Sequence, residues 1–203
     1  GRPDGNLTER TSFAISELIR RERIDLTIDV HEASMGYPVV STYVCHDRAE
    51  EMCMMAAMML SAEQFPMKTE NSPKSLRGLT HREIGDFTES LAVLMETPEP
   101  FIDKFVGPMT EALMLTGRDE FMQTAADRGL LYADYDMKTG ATLDCRVGRH
   151  LGGAAEIIKQ MGEFYPEKAV GVSWPTYADV MEKGIGAFLH DPGKAPRERV
   201  FRH

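Results

Sequence analysis

The chain has 203 residues, enough for one domain with a full core, and its 42% hydrophobic and 27% charged residues are ordinary for a folded protein. A net charge of −9 argues against a nucleic-acid backbone as partner, because that binding is driven by clustered Lys and Arg displacing counterions. Cys45, Cys53 and Cys145 are odd in number and lack a C-x-x-C spacing, which argues against a disulfide framework and mildly favours a reducing, cytoplasmic compartment; localisation otherwise stays open.

In chain order, Gly1 to Gly5 reads as a turn, and Asn6 or Thr8 is placed to cap a helix running through Glu22 with Phe13, Ile15, Leu18 and Ile19 as its apolar positions. Ile24 to Ser34, IDLTIDVHEAS, is a β-branched apolar run that ends abruptly in Asp29, His31 and Glu32, the pattern of a buried strand with polar groups at its carboxyl end. A loop with Gly36 and Pro38 leads to a second strand-like run, Val39 to Cys45, and then to a helix over His46 to Gln64 with Glu50 and Glu51 near its amino end. Within it, Met52 to Leu60 is the longest apolar stretch; it is too short to cross a bilayer and reads as a buried helix. Met67 to Phe87 is polar and carries Pro73, Gly78 and Gly85, marking a long loop or irregular hairpin over the sheet edge. Ser90 to Met95 is a third buried strand, followed by Glu96 and the breakers Pro98 and Pro100.

From Phe101 the pattern turns helical. Pro108 to Asp127, Val147 to Gly162 and Tyr177 to Leu189 have helical spacing, with a turn at Lys138 to Gly140 inside the Tyr132 to Ala141 connection and a basic tail from Pro192 to His203. No repeat or linker divides the chain. The expected fold is one α/β domain over 1–203, a mixed, mostly parallel sheet flanked by helices with a helical carboxyl-terminal half.

Two strands ending in polar groups suggest chemistry at one sheet edge. A strand-end imidazole suits metal ligation, offering one nitrogen to the metal and its other N–H to an acceptor such as Asp29 or a backbone carbonyl. A hydrolytic zinc centre needs three protein ligands, an open position for water and a carboxylate to take the water proton; His31 and Glu96 fit two of those roles. Parallel neighbouring strands would bring them to the same edge. Taken singly, each residue is more plainly read as a solvated or hydrogen-bonded strand end. Glu32 would alternate to the opposite face. His81 and Arg82, in HREIGD, are candidate substrate contacts, although solvated loop charge is the plainer reading. His46 reads as a helix-start residue, His150 and His190 lie in or at the end of helices, and His203 is terminal. No His-x-x-His, His-x-x-Glu or His-Glu-x-x-His pair completes a zinc site, and no G-x-S-x-G elbow, phosphate loop or dinucleotide glycine pattern occurs.

Three segments in order resemble the zinc carboxypeptidase superfamily, and within it the succinylglutamate desuccinylase and aspartoacylase-like branch. GRPDGNLTER is similar to that family's Pro-Gly loop running into a Thr-Glu-Arg helix start, IDVHEAS to its Asp-x-His segment, and LAVLMETPEP to the strand carrying its catalytic glutamate. The resemblance implies that His31 is a zinc ligand, that Glu96 is the general base, and that the substrate is a small N-acyl amino acid or the carboxyl end of a peptide. Arg77, Arg82 and Arg146 are the candidates for holding the substrate carboxylate. The family's His-x-x-Glu segment and Asn-Arg pair are absent. The resemblance therefore implies that Gly1 begins within a larger zinc hydrolase domain, that an upstream segment supplies the remaining zinc ligands, and that the 203 residues alone are inactive. The rival expectation is a non-catalytic α/β binding protein that keeps the fold without the metal.

Overall fold

The computed structural model describes residues 1–102 and 109–189. Its first helix, α1 (Leu7–Glu22), starts in a capping box: the Glu9 N–H donates to Asn6 Oδ1 at 3.0 Å, and the Asn6 N–H donates to Glu9 Oε2 at 2.9 Å. Arg23 closes it in the left-handed conformation, φ 51°. Of its four expected apolar positions only Ile19 is buried, packed with Ile84 and Ala92; Ile15 and Leu18 face outward with Leu7. Amphipathic spacing here marks a stripe that the described residues leave uncovered.

The sheet holds β1 (Leu26–Ala33), β2 (Thr42–Cys45), β3 (Lys68–Asn71) and β4 (Leu91–Pro98) in the order β1-β4-β2-β3. β1 runs parallel to β4 and β3 parallel to β2, while β2 is antiparallel to β4, so the sheet is mixed. Leu91 to Met95 are all buried, as a central strand covered on both faces requires. One face packs on α2 (Glu50–Glu63) and α6 (Leu143–Phe164), where Tyr43, Val93 and Met95 meet Cys53, Leu60, Ile157 and Met161. Gly153 lets α6 lie directly on the strands: a Cβ there would collide with the Met95 sulfur, and the Tyr43 hydroxyl donates to the Gly153 carbonyl at 2.7 Å. The other face carries α3 (Thr80–Phe87) and α1. Thus the helix expected from His46 begins at Glu50, preceded by a 3-10 turn over Asp47–Ala49 that His46 caps.

The polar stretch 67–87 is not a long loop. It contains β3, with three of its four residues exposed, and α3, whose buried face is made of His81, Arg82, Ile84 and Gly85. A short edge strand and a helix that buries polar groups leave no hydrophobic period to read. The helical stretch expected from Pro108 breaks into α4 (Glu111–Thr116) and α5 (Glu120–Asp127), because Gly117 at φ 55° ends the first; Pro108 itself lies outside the described residues. α6 begins at Leu143, capped by the Thr142 hydroxyl, and runs past Gly162 to Phe164. α7 (Tyr177–Lys183) is followed by a 3-10 turn, and the expected tail, with His190 and His203, lies outside the described residues. Among the described residues no helix is long and apolar enough to cross a membrane.

Candidate functional site

Parallel pairing of β1 with β4 sets His31 directly opposite Glu96 at the carboxyl ends of the two strands. Strand alternation puts Asp29 on the same face as His31, and it turns Glu32 to the other face. Asp29 Oδ1 lies 3.2 Å from His31 Nε2, while His31 Nδ1 lies 4.0 Å from Glu96 Oε1. The carboxylate therefore holds one ring nitrogen and the other faces the glutamate. His31 is half exposed, whereas the Glu96 side chain is only 13% exposed and its Oε2 is buried without a hydrogen-bond partner. Burial raises the Glu96 pKa above the ordinary carboxylate value, and the neighbouring His31 partly opposes the rise. A desolvated carboxylate with an unsatisfied oxygen is a better proton acceptor than a surface glutamate.

His81 stands in the first turn of α3, not in a solvated loop. It is 2% exposed, and neither ring nitrogen has a partner. Burial pushes its pKa down to about 4 against the pull of the nearby Asp29 carboxylate, so at neutral pH it is an uncharged imidazole. Its neighbour Arg82 is 1% exposed and committed: it donates to Asp47 at 3.2 Å, to the Ser72 carbonyl at 3.0 Å and to Asp86 at 2.9 Å. Arg77 is bonded to Asp86 and to Glu83 and lies over the Phe87 ring. Arg146 is on the opposite face from His31, donating to both oxygens of Glu32 at 2.9 Å and to the Ala141 and Met114 carbonyls. The structure therefore brings Asp29, His31 and Glu96 together with His81 close by, and it ties the three arginines into ion pairs of their own.

α6 also lays a set of side chains along this sheet edge that no motif announced. Arg146 reaches Glu32 of β1, the His150 Nε2 lies 2.8 Å from the Thr97 hydroxyl of β4, and Arg149 donates to Ser41 beside β2 at 3.3 Å. Their i, i+3, i+4 spacing places them on one helical face, which is the signal the sequence did carry. His150 Nδ1 is buried and unpartnered, and burial holds its pKa at about 4, with the Arg146 charge acting in the same direction.

A zinc ion at His31 would find Asp29 in the right place to orient the imidazole, but among the described residues no group of three His, Cys, Asp or Glu side chains is arranged to hold a metal ion. The set present is one imidazole with its orienting carboxylate and a proton acceptor. No protein-family model, curated protein or solved structure matches this chain, so the resemblance to the zinc carboxypeptidases rests on its three segments alone.

Proposed function

We propose that Asp29, His31 and Glu96 are the proton-transfer half of a hydrolase site acting on amide or peptide bonds, with Glu96 as the general base. The observation that supports this best is the in-register pairing of His31 with Glu96, whose partly buried carboxylate has a raised pKa and one unsatisfied oxygen. Glu96 takes the proton of the attacking water and returns it to the leaving amine, and His31, oriented by Asp29, bounds the water's position. Zinc is the metal that such a set, once completed, takes; when bound it would polarise the carbonyl and acidify the water. The described residues supply one ligand, so two more would have to come from another segment or chain, and these residues alone are expected to be inactive. An N-acyl amino acid or a peptide carboxyl end is the substrate class that the resemblance favours.

Zinc titrated into isotope-labelled protein is expected to move the His31 ring resonances first, with the weak affinity of a single imidazole, and Glu96→Gln is expected to leave that response intact. Where turnover of an N-acyl amino acid is reconstituted, Glu96→Gln should lower it about a hundredfold or more. A His31 ring that zinc leaves unmoved, or turnover insensitive to Glu96→Gln, would overturn the reading. The second reading is an α/β binding protein that has the fold without the metal.

A further inference from the structure

Two strands along the same edge from Glu96 there is a cavity of about 250 Å³ bordered by Ser41, Pro66, Lys68, Tyr132, Asp134 and Arg149. Because β2 is antiparallel to β4, the amino end of β2 and the carboxyl end of β4 share that edge, and Thr42 pairs directly with Glu96. An antiparallel pair separates Cα atoms by about 5 Å and one further residue adds about 3.8 Å, so the Ser41 Cα lies within about 9 Å of the Glu96 Cα. Lys68, paired with Thr42 on the other side, is at the same level.

The cations of this cavity differ from the others near the site. Arg77, Arg82 and Arg146 each face carboxylates, whereas among the described residues Arg149 and Lys68 have no carboxylate within 4.0 Å. Arg149 lies over the Phe65 ring at 5.0 Å, donates to Ser41 Oγ at 3.3 Å, has the Tyr177 hydroxyl in reach, and has a buried Nε without a partner. The Lys68 ammonium donates to the Pro38 carbonyl at 2.9 Å. The Asp134 carboxylate borders the cavity without pairing to either. Ser41 is 5% exposed and holds φ +53°, a conformation that a serine adopts at a cost. Among the described residues the other non-glycine with positive φ, Arg23, closes a helix; Ser41 closes none, and its strain keeps a hydroxyl beside the guanidinium.

We propose that Ser41, Lys68 and Arg149 form a binding pocket for the oxyanion group of a small molecule, a carboxylate or a phosphate. A stacked guanidinium with a free N–H offers the planar fork that such groups accept, Lys68 adds a mobile point charge, and the Ser41 hydroxyl completes the donors. The volume of about 250 Å³ suits a small anionic group. In a chain of net charge −9, two cations left without carboxylate partners beside one cavity mark a place where an anion belongs. The pocket lies on the α6 side of the sheet, whereas the Glu96 side chain points to the α3 side, so the pocket stands without the hydrolase reading.

The test is calorimetric titration of the full chain with inorganic phosphate and, separately, with malonate, together with the Arg149 Nε–H resonance. Saturable binding of at least one anion is expected, with a shift of that resonance, and the tighter of the two identifies the source of the oxyanion. Arg149→Gln should weaken binding about tenfold or more. Ser41→Gly should weaken binding while leaving thermal stability unchanged or higher, because glycine relieves the positive φ and only the hydroxyl is lost. If Arg149→Gln does not fold, Lys68→Gln at an exposed position carries the test, with a loss of at least about threefold. No saturable binding of either anion, or binding that these substitutions leave unchanged, overturns the pocket. Because no turnover is read, failure here leaves the hydrolase reading standing, and success does not establish it.

Discussion

His31 shows how a single side chain acquires a role from its two neighbours. The Asp29 carboxylate lies 3.2 Å from Nε2, which favours the proton on that nitrogen, and Nδ1 faces Glu96 at 4.0 Å. Nitrogen-detected NMR at neutral pH is therefore expected to find His31 mainly as the Nε2–H tautomer, and Asp29→Ala is expected to shift the population toward Nδ1–H. At Glu96, burial raises the pKa above the ordinary glutamate value, so ionisation is shifted to higher pH. Any turnover should rise with pH through that raised value, and a rate profile already flat at the ordinary glutamate pKa would contradict it. The strand-end pattern made both residues legible in the sequence. Arg146 was legible only as a charge, because its partner Glu32 is more than a hundred positions away and the pairing exists only once α6 lies on the sheet.

At the level of elements, α1 was readable from its capping residues and spacing, whereas α6 was readable from its spacing alone, over Val147 to Gly162, and its Thr142 cap and first turn were not. Asn6→Ala removes the acceptor for the Glu9 N–H and is expected to cost about 1 kcal/mol in a denaturant melt. Gly153→Ala drives a methyl into Met95 and the Tyr43 hydroxyl at the α6–sheet contact; overpacking there is expected to cost about 1 to 3 kcal/mol, unlike the usual gain of alanine within a helix. β3 and α3 were not readable. β3 is held by backbone pairing to β2, and α3 by the Arg82, Asp47 and Asp86 network, so neither depends on an apolar period.

For the whole molecule, the balance of charge sets the response to acid. Asp47 is held down to about 2 by Lys74 and Arg82, and Asp86 still lower by Arg77, so the ion network around α3 stays intact through mildly acidic pH. His81 and His150 behave oppositely: their folded pKa of about 4 lies below the ordinary value of 6.5. Between those values the unfolded chain takes up protons that the folded chain refuses, so stability is full above about pH 6.5 and falls until about pH 4. For His81 the loss is on the order of 3 kcal/mol, with His150 acting in the same direction. Melting curves from pH 7 to pH 4 should record the decline, and His81→Leu should reduce it.

The sequence by itself determined what depends on near neighbours: a helix start at Asn6 or Thr8, the apolar runs of β1 and β4 with their polar ends, and the alternation that separates His31 from Glu32; the expected burial of β1 does not hold, because it is an edge strand with Val30 exposed. Only the tertiary structure decided what depends on distant segments meeting. It set β1 beside β4 so that His31 faces Glu96, buried His81 and Arg82 on the inner face of α3, gave Arg146 to Glu32, and left Arg149 and Lys68 without carboxylate partners beside one cavity. The physical reason is that periodicity and capping report a residue's own backbone state, whereas its ionisation and its partners are set by whichever groups the packing brings within a few ångströms.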